Sequence, residues 1–244
     1  IVDGSIVGSG QTCVSYERLY VHGSIYDTFV PRLADAFRAV KLGASITDMQ
    51  QDMGPLISEA QFLKTKLHVD DAVGKGAKVL AGGAARPDLG PAFFEPTLLE
   101  NVTSDMILHS TETFGPVVSV YRFESDDEAI SACNDSVHGL HASVFGRNTR
   151  RAHAVARRIQ AGTVSINENY KAVWASMNST QGGFKHSGTG RRHGREGITK
   201  FTQTQNISTQ YVITLSPSRL LPPERWDKFW GLMLSVLKHI PGLR

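Results

Sequence analysis

The chemistry this chain could perform gathers around one thiol. Cys13 stands in S-G-Q-T-C-V-S-Y-E-R, residues 9–18. The thiolate is the nucleophilic form of cysteine, and it forms in reachable, electropositive surroundings. Gly8, Ser9 and Gly10 give a backbone that turns tightly and lets a ligand come close. The residues after Cys13 are expected to open a helical turn whose N–H groups favour a negative sulfur. Against this, a lone cysteine is more often a small buried hydrophobe, and neighbouring glycines are a weak signal. A second constellation is T-E-T-F-G-P-V-V-S-V, residues 111–120, where Glu112 and Phe114 precede a Gly-Pro turn that feeds the clearest strand of the chain. As plain packing, Phe114 is a core plug and Glu112 a solvated charge. Residues 167–195 are polar and glycine-rich without periodicity, too long for an ordinary connection and therefore a candidate functional loop.

The elements that must position these residues follow an α/β order. R-L-Y-V-H after Cys13 alternates as a strand. Ile25, Phe29, Leu33, Ala36, Phe37 and Val40 then recur at helical spacing as far as Gly43. Ser58 caps a second helix ending near Gly76, and K-V-L-A is a short strand closed by Gly82 and Gly83. F-F-E-P-T-L-L is another, with Pro96 restricting it to an edge or a strand end. P-V-V-S-V-Y-R-F, a helix capped by Ser125, A-S-V-F, the helix T-R-R-A-H-A-V-A-R-R-I and G-T-V-S-I-N continue the alternation. That order predicts a three-layer fold, a mostly parallel sheet covered by helices, with ligand sites at the carboxyl ends of strands. The segment that starts at Lys200 and ends at Leu215 alternates as a long strand, and an amphipathic helix opened by Pro222 and Pro223 closes the chain.

Composition narrows the function classes. With 244 residues, 41% hydrophobic content and a net charge of +3, the chain has the make-up of an ordinary globular protein. Its basic residues gather at 147–158 and 185–195 without interleaved aromatics, which reads as solvated surface and argues against nucleic acid. Two cysteines, Cys13 and Cys133, are too few for a disulfide framework or a cysteine-rich metal site, so the expectation is no metal and a reducing, cytoplasmic setting. No run reaches the ~18–20 apolar residues of a membrane span. The first residues lack the pattern of a signal peptide, and Ile1 reads as a truncation, processing or fragment boundary.

From Ser9 to about Ile207 the chain resembles the NAD(P)-dependent aldehyde dehydrogenases. Six blocks carry the resemblance in order: S-G-Q-T-C around Cys13, M-G-P-L-I-S at 53–58, E-T-F-G-P-V, N-D-S-V-H-G-L at 134–140, A-G-T-V-S-I-N at 161–167 and G-G-F-K-H-S-G-T-G-R at 182–191. N-E-N-Y with W-A-S, and R-R-H-G-R-E-G-I, look most similar to bacterial succinate-semialdehyde dehydrogenases.

The resemblance implies that Cys13 attacks the aldehyde carbon to give a thiohemiacetal and then a thioester, its own N–H contributing to an oxyanion hole. It implies NAD or NADP as cofactor, with Glu112 accepting from the nicotinamide ribose hydroxyls and Phe114 packing beside the nicotinamide. Asn167 and the loop behind it would line the substrate entrance. Two departures bear on substrate. Val7 stands where some semialdehyde-specific relatives carry a carboxylate-binding arginine, and Gln181 replaces a common aromatic, leaving Lys171 or Ser176 as substitute carboxylate ligands.

The organisation implied is a catalytic domain over 1–199, an oligomerisation strand over 200–215 that extends a neighbouring subunit's sheet in a homo-oligomer, and a helical tail over 216–244. The cofactor domain and the general base of the family lie upstream of the cysteine and are absent from these residues. G-T-G-R-R-H-G at 188–194 has the wrong spacing to replace a dinucleotide fingerprint. Three readings result: the catalytic half of an aldehyde dehydrogenase, a weak cofactor-independent esterase, and an inactive truncated product that self-associates.

Overall fold

The computed structural model describes residues 1–44, 50–211 and 222–240. It divides into two compact units, Ile1–Thr202 and Gln203–Arg244. The first unit begins with α1 (Val2–Ile6), a tight turn at Val7–Gly10, β1 (Arg18–His22) and α2 (Gly23–Arg38). Then come α3 (Glu59–Gly74), β2 (Lys78–Ala81), β3 (Thr97–Glu100), α4 (Ile107–Ser110), β4 (Val117–Phe123) and α5 (Asp126–Asn134). β5 (His138–Gly139), β6 (His141–Val144), α6 (Thr149–Ala156) and β7 (Thr163–Ile166) follow. The unit closes with α7 (Lys171–Ala175), β8 (Gln181–Gly182), β9 (Phe184–Lys185), β10 (Arg191–Arg192) and α8 (Gly194–Thr199).

Helices begin where a side chain can take an otherwise orphaned N–H. Ser58 accepts from Gln61 N at the start of α3, Ser125 from Glu128 N at α5, and Asn148 from Arg151 N at α6. Four strands form one sheet in the order β1-β4-β3-β2, parallel except for β2. Alternation along β3 and β4 sends Leu98, Val118 and Val120 to one face, where Tyr26, Val30, Leu33, Ala34 and Phe37 of α2 cover them. Leu99 and Val117 point to the other face and pack with Val69 and Ala72 of α3. Helix, sheet and helix thus make the three layers the alternation predicts. Pro96 stands just before β3, although β3 is an interior strand and not an edge.

Four expectations need correction. The apolar period overruns α2, which ends at Arg38 because the backbone of 41–43 is taken up by Asp52 and Met53. No helix opens after Cys13; residues 12–15 form a turn closed by Ser15 N to Thr12 O at 3.0 Å. The parallel pair β6–β7 stands apart from the four-stranded sheet, so the strands do not make one continuous layer. No strand forms at 200–211, and 212–215 lie outside the described residues. A strand exists through its ladder, and this segment pairs with no other strand among the described residues; its backbone bonds at 200–202 run back to α8.

The second unit contains α9 (Pro223–Leu237), with Pro223 in its first turn. Trp226, Phe229 and Trp230 pack against one another with ring centroids 5.6 to 6.0 Å apart. Among the described residues no helix is long and apolar enough to cross a membrane.

Candidate active site

Cys13 is exposed at the end of a segment that is tied down on both sides. Ser9 holds a positive φ of 59° and donates through its hydroxyl to the carbonyls of Gly54, at 2.9 Å, and Pro55. The Gln11 carboxamide donates to Gly8 O and accepts from Ile57 N at 3.0 Å. Gly10 has φ +71°, and a Cβ there would collide with the backbone of Gly115 and Pro116. Only glycine allows both this conformation and this approach. The block around Cys13 is therefore clamped between the blocks at 53–58 and 111–116.

The Glu112 block is held as firmly. Thr113 N donates to both carboxylate oxygens of Glu17, at 3.0 and 3.1 Å, and Phe114 N to one of them at 2.8 Å. Gln61 Nε2 donates to the carbonyls of Thr113 and Phe114 at 2.9 and 2.8 Å. His68 Nδ1 meets Thr113 Oγ1 at 3.1 Å in the interior. Phe114 sits at φ 57°, a conformation bulky residues rarely adopt unless their surroundings hold them in it. Burial pushes the Glu17 carboxyl above its usual range, with the two amides pulling the other way.

Cys13 and Glu112 line one cavity of about 710 Å³, together with Tyr16, Glu17, Cys133 and His141. Glu112 is exposed, and its carboxylate has no hydrogen-bond or ion-pair partner among the described residues. An unpaired carboxylate can only accept hydrogen bonds, so Glu112 offers this cavity an acceptor for a ligand's hydroxyl or N–H groups. Burial pushes the Cys133 thiol up, and burial alone lowers His141 to about 4. Among the described residues no group of three or more His, Cys, Asp or Glu could hold a metal ion.

The same cavity runs between two open strand edges. β1 pairs only with β4, and β6 only with β7, among the described residues. Glu17 O accepts from Ser119 N, so the alternation of a parallel ladder turns the backbone of Arg18, Tyr20 and His22 toward the cavity. Leu140 O accepts from Thr163 N of β7 and Val144 O from Asn167 N just beyond it, which turns the backbone of His141 and Ser143 to the cavity from the opposite side. α5 and α6 are joined at both ends, by Asp126 to Arg151 at 2.7 and 2.8 Å and by Asn134 to Arg158 O and Gln160 N. The units β4–α5 and β6–α6 therefore point the same way.

The remaining predicted residues are placed elsewhere. Phe114 does not line the cavity, and neither do Asn167, Lys171, Ser176 or Gln181. Asn167, at φ 57°, exchanges two hydrogen bonds with the Gly146 backbone. Lys171 Nζ pairs with Asp3 Oδ2 at 2.7 Å, Ser176 donates to Ala172 O, and Gln181 pairs with Arg192 across β8 and β10. Sequence reasoning passed over Glu17 and Gln61. Glu17 had one readable signal, as the only acid within the quoted Cys13 stretch.

Three kinds of similarity converge with this geometry. The chain is 45% identical over 234 residues to a Mycobacterium ulcerans protein named "Putative succinate-semialdehyde dehydrogenase (NADP(+)) 2", covering 96% of this chain and 45% of that protein. It is 39% identical to succinate-semialdehyde dehydrogenase (NADP(+)) 1 of Schizosaccharomyces pombe, covering 82% of this chain and 40% of that one. Betaine aldehyde dehydrogenase of Staphylococcus aureus, solved with NAD+, superposes with a TM-score of 0.76 at 37% identity, over 82% of this chain and 40% of that chain. The chain thus spans less than half the length of the relatives it matches. Residues 1–207 match the aldehyde dehydrogenase family, and the chain belongs to it.

Proposed function

We propose that these residues are the catalytic half of an NAD(P)-dependent aldehyde dehydrogenase whose full-length form oxidises succinic semialdehyde or a similar small aldehyde. The observation that carries the reading is the pairing, in one cavity, of an exposed Cys13 with an unpartnered Glu112. The Cys13 sulfur attacks the aldehyde carbon, and the Cys13 N–H lies close enough in the chain to steady the resulting oxyanion. NAD(P)+, when bound, supplies the hydride acceptor for the oxidation. Glu112 orients the ribose at that end, and the acyl group left on Cys13 as a thioester is released by water as the carboxylic acid. The names of the mycobacterial and yeast relatives support succinic semialdehyde as substrate and NADP+ as cofactor.

The open edges of β1 and β6 support reading the other half of the enzyme as a missing structural partner. A strand laid between them, parallel to both, would close the sheet and bury the apolar cavity. On this reading the 244 residues alone perform no dehydrogenation and self-associate through those edges. The alternating segment at 200–215 would serve as the strand added to a neighbouring subunit's sheet.

The test is cofactor reduction by the full-length protein with succinic semialdehyde. Cys13→Ala is expected to lower turnover by at least ~10³-fold. A Cys13→Ala enzyme that retained its rate would refute the assignment.

A further inference from the structure

Resting on the reading of Glu112 above, we infer that Glu17 is a positioning residue for the cofactor end of the site: it fixes where the Glu112 carboxylate points by holding the two amides that follow it. The carboxylate of Glu17 takes three hydrogen bonds from Thr113 N and Phe114 N, at 2.8 to 3.1 Å. Its own carbonyl accepts from Ser119 N at 2.9 Å, so Glu17 grips this block at both ends, before and inside β4. From the other side Gln61 Nε2 donates to the carbonyls of the same two residues. The peptides at 113–114 thus have donors and acceptors satisfied by two side chains, one from the Cys13 segment and one from α3.

Such a clamp has something to hold. Phe114 sits at φ 57°, and without restraint a phenylalanine leaves that region. Turning the 113–114 backbone back to an ordinary conformation would swing the neighbouring Glu112 away from the cavity it shares with Cys13. Glu17 also has no ion-pair partner among the described residues, and burial pushes its carboxyl up. A half-buried carboxylate that forms no salt bridge, with the charge of Arg18 offsetting its burial only in small part, is a costly way to satisfy two amides, and features of that kind collect at functional sites. Because Glu17 lies four residues after Cys13, one short segment sets both the nucleophile and the ribose ligand.

The test uses the full-length enzyme, with the dissociation constant for NADPH, the KM for aldehyde and the rate of Cys13 alkylation by iodoacetamide as readouts. Removing charge-assisted bonds by Glu17→Gln is expected to weaken NADPH binding about tenfold. Aldehyde KM and alkylation rate should stay within about twofold, a split that general loss of structure does not produce. Gln61→Ala should weaken NADPH binding in the same direction, which keeps the inference testable if Glu17→Gln folds poorly. In a Glu112→Ala background, Glu17→Gln should have little further effect, because it acts through Glu112. If Glu112→Ala weakens binding while Glu17→Gln and Gln61→Ala do not, the clamp is overturned and the reading of Glu112 survives. A Glu17→Gln effect undiminished in the Glu112→Ala background also overturns it. Unchanged binding in Glu112→Ala removes the reading of Glu112 and the clamp together.

Discussion

The two ends of the cavity are built in opposite ways. At the Cys13 end, Ser9, Gly10, Gln11, Glu17 and Gln61 bind three motif blocks to one another through hydrogen bonds and a backbone contact too tight for any side chain. At the other end, β1 and β6 face each other across apolar space, each with one edge unpaired. The groups proposed to meet substrate and cofactor, Cys13 and Glu112, stand in backbone held by this chain itself, whereas β1 and β6 each keep one edge unpaired among the described residues. The difference separates two kinds of order: the geometry around Cys13 is fixed by contacts among these residues, and the edges of β1 and β6 are not paired by any of the described ones.

Gly10→Ala should break the tied end most severely. Its Cβ would meet the Gly115 backbone and its φ of +71° disfavours alanine, so a loss of about 4 kcal/mol in denaturant unfolding is expected. A change below about 1 kcal/mol would show that this contact is not tight in solution.

At the open end, pH is the probe. His141 lines the cavity, stacks on Tyr16 and has a buried Nδ1 without a partner among the described residues. Burial lowers it from 6.5 to about 4, so the unfolded chain binds its proton first as pH falls. That contribution is whole above pH ~6.5 and is lost as pH falls toward ~4, up to about 3 kcal/mol, since the native state must expose or charge the ring. His141→Gln should flatten the acid limb of the stability profile in urea titrations. An acid limb identical in the variant would mean the ring is already solvated.

Hydrogen exchange sharpens the contrast within one strand. The amides of Tyr20 and His22 face the cavity, whereas those of Leu19 and Val21 face β4. In the 244-residue chain the first pair should exchange at least ~100-fold faster than the second, and in the full-length protein the two pairs should converge. Equal protection in the short chain would mean the edge is already covered. The smallest effect is expected at Lys171, whose pairing with Asp3 is exposed and screened by solvent. Lys171→Ala should raise the KM for succinic semialdehyde by less than about fivefold, and a larger rise confined to carboxylate-bearing aldehydes would make Lys171 a substrate ligand.

Elements set by neighbours in sequence were legible. The caps at Ser58 and Ser125 stand where spacing put them, because a cap depends on residues two or three positions away. The motifs around Cys13 and Glu112 were legible as chemistry, and both residues line the cavity. What stayed hidden depends on partners far along the chain. Glu17 reaches Thr113 across nearly a hundred positions, and nothing local marks it as more than a charge near a strand. The break between β1 and β6 cannot be read from alternation, since a strand's pattern states which faces it buries and not which edge it pairs. The same limit applies to 200–211, whose alternation is real but which pair with no strand among the described residues.

The account rests on Cys13 as the residue that carries the acyl group. The direct measurement is mass spectrometry of peptides from the full-length enzyme, quenched in acid during turnover of succinic semialdehyde with NADP+. The account predicts a succinyl thioester on the peptide containing Cys13, formed only when both reactants are present. A thioester on the Cys133 peptide, or turnover with Cys13 never acylated, would contradict it.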